Sequence, residues 1–519
     1  MNVSACAKGR CLALSGSGSL GRAGNRCERA RRVARLVVIV VSSCLAAASC
    51  AGNAVKTVNP PQVKSCTAQG RPARCGTLAV PENRLTGQGR QIKIKFVVFP
   101  AFGRNRAPDP VVYFAGGPGG SAIDAIPGQM PSLIGLNQDR DLVFIDQRGT
   151  GGSNGLNCPS PPDTLADPSL VRRSIQSCLD SLRGRADLRF YTSVMAAQDT
   201  AQVLTALHYG QVDLLGGSYG VTAAQVFQQL FPGRVRTMTL LSGTLLSISI
   251  FERFPQASQQ ALDSVFGRCA SDPACHGAFP RLAAEWAQLR AAVAGRPVTL
   301  PAQQSPTGAA VRLDSNALAD QVHKLLLSAS TAAYLPLLIH TLAVAKNRPA
   351  ALATVIRQGR TAGLGSSGGG GDSIIGYPIR CAEPWARFQP GQVSGPGSYY
   401  YQYWIGNARW WRHVCTLIPA PGAAARYGPQ KPSDVPVLMI NGTADPQDPP
   451  ANMAGARQIW PNSRLLTEPG QAHSIDTQAW LQCDDRLVQA FIEHANARKL
   501  NAGCLTLVAA PSFPLQWPA

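Results

Sequence analysis

Strand-length apolar runs alternating with helix-spaced ones constrain this chain more than any other feature. Val111-Val112-Tyr113-Phe114 and Leu142-Val143-Phe144-Ile145 are apolar throughout, as strands buried on both faces must be. Ile92–Pro100 alternates apolar residues with Lys, the pattern of a half-exposed strand. Val212-Asp213-Leu214-Leu215 and Val235–Leu241 read as further strands, with helical spacing over Val194–His208 and Val221–Phe231. Such alternation predicts a wound, mostly parallel α/β sheet. After residue 245 the pattern changes. Residues 251–425 are helical or irregular, with Ala-rich stretches at 281–295 and 317–346, a Gly/Ser run at Gly363–Gly371, and aromatics gathered from Tyr399 to Trp411. Strand signals resume at Val435–Ile440 and Arg464–Thr467, and a helix follows over Ala479–Ala495. We therefore expect a leader region at 1–49, a first core part at 50–245, a mostly helical insertion at 246–425 and a second core part at 426–519. The insertion is expected after the sixth strand. A hydrophobic content of 45% over 519 residues allows a large core, and 50 Gly with 40 Pro predict many loops.

The amino-terminal region points to export. An Arg cluster at 29–35 abuts a short apolar stretch from Leu36 to Val41 and small residues up to Cys50. About a dozen apolar residues are too few for a transmembrane helix, which needs about 20; the pattern is that of a secretory signal. Ala47-Ala48-Ser49-Cys50 and Val41-Ser42-Ser43-Cys44 have the small-residue-then-Cys form of a bacterial lipobox, without its usual Leu. Residues 1–28 lengthen the leader in a way that fits translation starting near Val33. Loss of Cys6, Cys11, Cys27 and Cys44 with the leader and lipidation of Cys50 leave ten of the 15 cysteines. These fall as sequence-near couples, which predicts bridges Cys66–Cys75, Cys158–Cys178, Cys269–Cys275, Cys381–Cys415 and Cys483–Cys504. Connectivity cannot be read from spacing alone, but this many cysteines is unusual for a reduced compartment. Neither CxxC pairs nor zinc-finger His spacing occur, so no metal site is expected, and nothing suggests an organic cofactor. The leader holds eight Lys or Arg and one acid, seven of the formal +20 charge. The remaining basic residues are scattered, which argues against a nucleic-acid partner. The expected location is bacterial and outside the cytoplasm: periplasmic, cell-envelope lipoprotein or extracellular. A lipid anchor would be the only membrane contact.

Chemistry concentrates around Gly216-Gly217-Ser218-Tyr219-Gly220, which joins the strand at 212–215 to the helix at 221–231. A strand-to-helix turn of this type exposes a serine hydroxyl beside a helix N-terminus. A serine becomes a nucleophile only with a general base and a group that orients that base. Asp445 follows the strand at 435–440 and His473 the strand at 464–467, so both emerge at the sheet edge that carries Ser218. Asp448, three residues on, is a rival acid. The other histidines (His208, His276, His323, His340, His413 and His494) fall in helical patterns or the insertion and read as surface or packing. Gly116-Gly117-Pro118-Gly119-Gly120 follows the strand at 111–114. The backbone N–H of Gly117, with that of Tyr219, is placed to form an oxyanion hole. A phosphate loop is disfavoured, because no Gly-Lys-Ser/Thr follows and no dinucleotide fingerprint is present.

Four motifs stand in order: Gly116–Gly120, Asp146-Gln147-Arg148-Gly149-Thr150-Gly151-Gly152-Ser153, Gly216–Gly220 and Gly442-Thr443-Ala444-Asp445-Pro446. Over roughly 75–245 and 375–505 the chain resembles the proline iminopeptidase and tripeptidyl aminopeptidase family of α/β-hydrolases, in its secreted bacterial branch with a TAP-like C-terminal segment. The resemblance implies an α/β-hydrolase fold, a helical cap over the sheet edge, and hydrolysis of peptides near a free N-terminus. It departs at Ala115, where proline iminopeptidases usually carry His, and at Asp448, where the family often has Thr. Strict prolyl specificity is therefore not implied. An aminopeptidase must hold a substrate ammonium, and charge-assisted hydrogen bonds to a carboxylate do this well. Glu383, in Arg380-Cys381-Ala382-Glu383-Pro384-Trp385, is the leading candidate; an ordinary surface carboxylate is the alternative, and Glu252 and Asp372 follow. Three functions stay open: a secreted or lipid-anchored serine aminopeptidase, an esterase or amidase on a non-peptide substrate, and a catalytically silent surface lipoprotein.

Overall fold

The computed structural model describes residues 60–158, 168–308, 310–364, 374–474 and 478–518. The leader, Cys50 and Asp372 lie outside the described residues. Eleven strands occur among them: β1 (Gln62–Ala68), β2 (Arg71–Pro81), β3 (Gln91–Phe99), β4 (Val111–Phe114), β5 (Leu142–Ile145), β6 (Val212–Gly217), β7 (Val235–Leu241), β8 (Val298–Leu300), β9 (Val311–Leu313), β10 (Val437–Gly442) and β11 (Ser463–Glu468). Nine form one sheet in the order β1-β2-β3-β5-β4-β6-β7-β10-β11. From β5 to β11 every neighbouring pair is parallel, and β1, β2 and β3 pair antiparallel at one side.

Parallel strands covered on both faces need apolar residues facing both ways, and the central strands supply them. In β10, Val437 and Met439 pack into one core while Leu438 and Ile440 pack into the other. The helices Ser193–Ala206 and Tyr219–Leu230 contribute to the first core, and the helices Ile126–Leu133 and Gln478–His494 to the second.

The insertion follows the seventh strand of this sheet, not the sixth as the sequence suggested. Two of the seven are absent from the strands named from sequence, β2 and the mostly exposed edge strand β1. An edge strand with one partner needs no apolar run, so its sequence carries little strand signal. It is defined instead by the two-residue turn Gln69-Gly70, both at positive φ, which suits a tight antiparallel hairpin. The Cys66–Cys75 bridge crosses the same hairpin.

Between β7 and β10 the chain builds a third core of its own, with Leu262, Trp286, Leu318, Leu335 and Tyr400 at its centre. The β8–β9 hairpin belongs to it. Packing does not follow the sequence division at 246–425. Ile374, Ile375 and Ile379 join the sheet-side core, while Phe513 and Trp517, near the C-terminus, pack into the core of the insertion. All five predicted cysteine couples are bonded, with S–S separations of 1.88–2.03 Å. No helix among the described residues is long and apolar enough to cross a membrane.

Candidate active site

Ser218 sits between β6 and the helix Tyr219–Leu230 with φ 55° and ψ −126°. That conformation is strained for a residue with a Cβ, and its neighbours permit it. A methyl group at Gly216 would overlap the carbonyl oxygen of Gly220, and one at Gly220 would overlap that of Phe114. The turn therefore presses against the end of β4 and lifts the serine side chain above the sheet edge.

The loops after β10 and β11 bring the other two groups. Ala444 N–H donates to Gln471 O at 2.9 Å, and Gly442 has no room for a side chain against the carbonyls of Gln471 and Ala472. This close approach places Asp445 beside His473. His473 Nε2 lies 2.9 Å from Ser218 Oγ, and His473 Nδ1 lies 2.9 Å from Asp445 Oδ2. Asp445 Oδ1 accepts from the N–H groups of Gln447 and Asp448 at 2.8 and 2.9 Å. Both oxygens of the carboxylate are thus engaged and its orientation is fixed. Such a chain can take the serine proton onto Nε2 while the acid holds the tautomer and stabilises the imidazolium. Burial by itself would lower the His473 pKa. The charge and hydrogen bond of Asp445, with the charge of Asp448, outweigh that and hold it up at about 9.

Asp448 stands close by, its Oδ2 3.6 Å from His473 Nδ1. Burial pushes its carboxyl up to about 7. Asp445, Asp448 and His473 are the only donors among the described residues spaced closely enough to hold a metal ion. The Nδ1 nitrogen that a metal would use is already hydrogen-bonded to Asp445, so the cluster reads as a hydrogen-bonding unit.

Two residues beside the serine carry backbone N–H groups of interest. Tyr219 is the first residue of its helix, so its N–H has no intrahelical acceptor. Gly117, at φ 123°, lines the same cavities as Ser218. The Asp146–Ser153 motif braces this region. Asp146 accepts from Ser121 Oγ at 2.7 Å, Ile123 N–H at 3.0 Å and Gly152 N–H at 2.8 Å. Arg148, almost fully buried, donates twice to Asp199 and also to the carbonyls of Glu82 and Phe190.

Two cavities meet at Ser218. One, of about 250 Å³, runs under the insertion and contains Glu383. The other, of about 510 Å³, opens beside Ser121, Gln129 and Ser242. Glu383 is 1% exposed, which excludes the surface-carboxylate reading. Its oxygens accept from Ser193 N–H at 2.9 Å and Ser193 Oγ at 2.8 Å, at the start of the helix Ser193–Ala206. A carboxylate has about four lone-pair sites, so acceptor capacity remains. Burial raises its pKa to about 7, against the pull of the Ser193 hydrogen bonds. Glu252 instead accepts from Gln389 N–H and lies outside the cavity lining.

Several cavity residues were not assigned to the site from sequence. Phe251, Phe254, Trp404 and Trp411 form a continuous aromatic wall, with ring centroids 4.6–6.0 Å apart. His323 lines the cavity too. Its Nδ1 lies 3.0 Å from Ser258 Oγ, which donates to Pro446 O in the Asp445 loop, and burial lowers its pKa to about 4. Arg380 donates to Gly117 O at 2.9 Å, tying the insertion to the Gly-rich loop. The Trp404 and Trp411 spacing on one helix was the available signal; the rest depends on distant partners.

Comparison with known proteins gives the same architecture. The family described as "alpha/beta hydrolase fold" matches residues 109–308, and the one described as "TAP-like protein" matches residues 401–504. The tripeptidyl aminopeptidase of Streptomyces lividans is 28% identical over 259 residues, covering 44% of this chain and 47% of that protein. The serine protease Hip1 of Mycobacterium tuberculosis is 29% identical over 235 residues, covering 41% and 45%. Carboxylesterase B of the same species is 27% identical over 231 residues, covering 40% and 44%. The chain thus spans a little under half the length of these curated relatives. Its sheet order, strand-to-helix serine turn and match to the α/β-hydrolase model give the chain an α/β-hydrolase fold, with residues 401–504 similar to the TAP-like family.

Proposed function

We propose that this chain is an exported serine hydrolase that releases N-terminal residues or short peptides from peptides with a free N-terminus. One juxtaposition carries the reading: the Ser218–His473–Asp445 hydrogen-bonded chain opens on a cavity that holds the buried acid Glu383. In this reading Glu383 binds the substrate ammonium, and the amino-terminal part of the peptide occupies the 250 Å³ cavity. The leaving chain exits through the wider one. Ser218 Oγ attacks the carbonyl carbon as His473 Nε2 takes its proton. Asp445 keeps Nδ1–H in place, and the N–H groups of Gly117 and Tyr219 receive the oxyanion. Collapse of the tetrahedral intermediate breaks the C–N bond, and His473 returns the proton to the leaving amine. Water, activated by the same imidazole, then hydrolyses the ester to Ser218.

The five disulfides favour an oxidising compartment. Lipidation of Cys50 would anchor the chain there. An esterase on non-peptide substrates is the second reading, favoured by the similarity to carboxylesterase B and by acyl-transfer chemistry that suits either leaving group.

The test compares the full chain with Ser218→Ala on aminoacyl and tripeptidyl amides, free and blocked at the N-terminus, and on short-chain esters. Cleavage of free-amine amides, lost together with phosphonate labelling in Ser218→Ala, is the expected result. Turnover of esters alone would move the second reading ahead. Neither turnover nor labelling would leave a silent binding protein.

A further inference from the structure

Two carboxylates, not one, address the outer nitrogen of His473. Asp445 makes the hydrogen bond at 2.9 Å. Asp448 stands 3.6 Å from the same Nδ1, and its position is built. Its N–H donates to Asp445 Oδ1 at 2.9 Å. Its carbonyl accepts from Asn441 Nδ2 at 2.7 Å. Its Oδ1 accepts from the Thr244 hydroxyl, and Thr244 Oγ1 is itself held by Asn452 Nδ2 at 2.8 Å. The other oxygen, Oδ2, is the one nearest His473. A buried acid this well supported beside an imidazole, yet not bonded to it, is spare acceptor capacity within a small displacement of Nδ1–H.

We propose that Asp448 is a second acid partner of His473, a positioning residue that supports the imidazolium together with Asp445 and takes over Nδ1–H when Asp445 cannot accept it. The charged and titratable groups around His473 come from two elements. From its own loop cluster, Asp445 and Asp448 face it. From the insertion, His323 faces the pair, and burial holds it neutral above a pKa of about 4. Further along the cavity stand Glu383 and Arg380. Among these, the two aspartates are the groups that raise the basicity of His473.

The proposal rests on the serine-hydrolase reading. The failure of that reading would show separately, as no turnover by the unaltered chain. The experiment measures kcat and KM against pH for the full chain, Asp448→Asn, Asp445→Asn and the double variant, with Thr244→Val as a milder perturbation that leaves the carboxylate. Replacing the sole acid of such a site by its amide costs on the order of 10⁴ in kcat. With Asp448 in reserve, Asp445→Asn should lose only about 10², and the double variant should fall by the full amount, on the order of 10⁴.

Asp448→Asn alone should lower the alkaline kcat by less than Asp445→Asn does. Its acidic limb should move to lower pH, because an imidazolium that loses a neighbouring negative charge deprotonates more readily. Thr244→Val should loosen Asp448 and raise the residual activity of Asp445→Asn or leave it unchanged. The proposal is overturned if Asp445→Asn and the double variant are equally inactive while both fold, as judged by circular dichroism and thermal melting. It is also overturned if Asp448→Asn leaves the acidic limb in place, or if it changes only KM for free-amine substrates. The last result would make Asp448 an ammonium anchor instead.

Discussion

Glu383 shows how far a single residue's chemistry depends on what surrounds it. Its carboxyl is pushed up to about 7 by burial, while a peptide α-amino group is protonated below about 7.7–8.0. If the two pair, binding needs carboxylate and ammonium together. Affinity for free-amine substrates should therefore rise as pH passes upward through about 7 and fall again above about 8. Glu383→Gln should raise KM for such substrates by roughly 10–100-fold, the loss of one charge-assisted pair, and leave N-blocked substrates and esters almost unchanged. Equal losses on blocked and free substrates would show that Glu383 serves only to hold Ser193. The sequence could offer Glu383 as a candidate because acids near a cysteine and aromatics are few. It could not show the residue buried and held, because its hydrogen-bond partner Ser193 is 190 residues away in the chain. Ser218, by contrast, was legible from five consecutive residues, since the steric demand for small neighbours at Gly216 and Gly220 is local.

At the scale of elements, the serine turn and the end of β4 are one mechanical unit. The turn can form only because Gly220 lies against the Phe114 carbonyl, and Phe114 leads directly into the Gly116–Gly120 loop. Gly220→Ala must push β4 away, at a cost of about 1–3 kcal/mol for overpacking a tight core. The same shift moves the Gly117 amide. Urea denaturation should report the stability loss, and kcat should fall with KM little changed; an unaltered midpoint and kcat would refute the coupling. The continuous apolar runs of β4 and β5 made the central strands readable. β1 escaped because an exposed edge strand has no burial pattern to read, and its existence depends on β2.

Across the whole molecule, the insertion is tied to the site through a few long-range links. Arg380 reaches Gly117 O, Ser258 reaches Pro446 O, and the Cys381–Cys415 bridge joins the segment carrying Glu383 to the helix carrying Trp404 and Trp411. Replacing both cysteines by Ser should lower stability by about 2–4 kcal/mol, from the added freedom of the unfolded chain. It should also weaken free-amine substrates more than phosphonate labelling of Ser218. Equal loss of both would mean that the bridge supports the sheet as well. The sequence by itself determined the strand–helix alternation, the serine turn, the order of Ser218, Asp445 and His473, and the near-neighbour cysteine couples. Each of these is set by interactions between residues close in the chain. Only the tertiary structure decided that Glu383 is buried at a helix start, that Asp448 stands beside His473, and that Phe513 and Trp517 complete the core of the insertion. Those outcomes join residues as distant in the chain as Ser193 and Glu383, 190 positions apart, where burial and hydrogen bonding are properties of packed surfaces that no local pattern encodes.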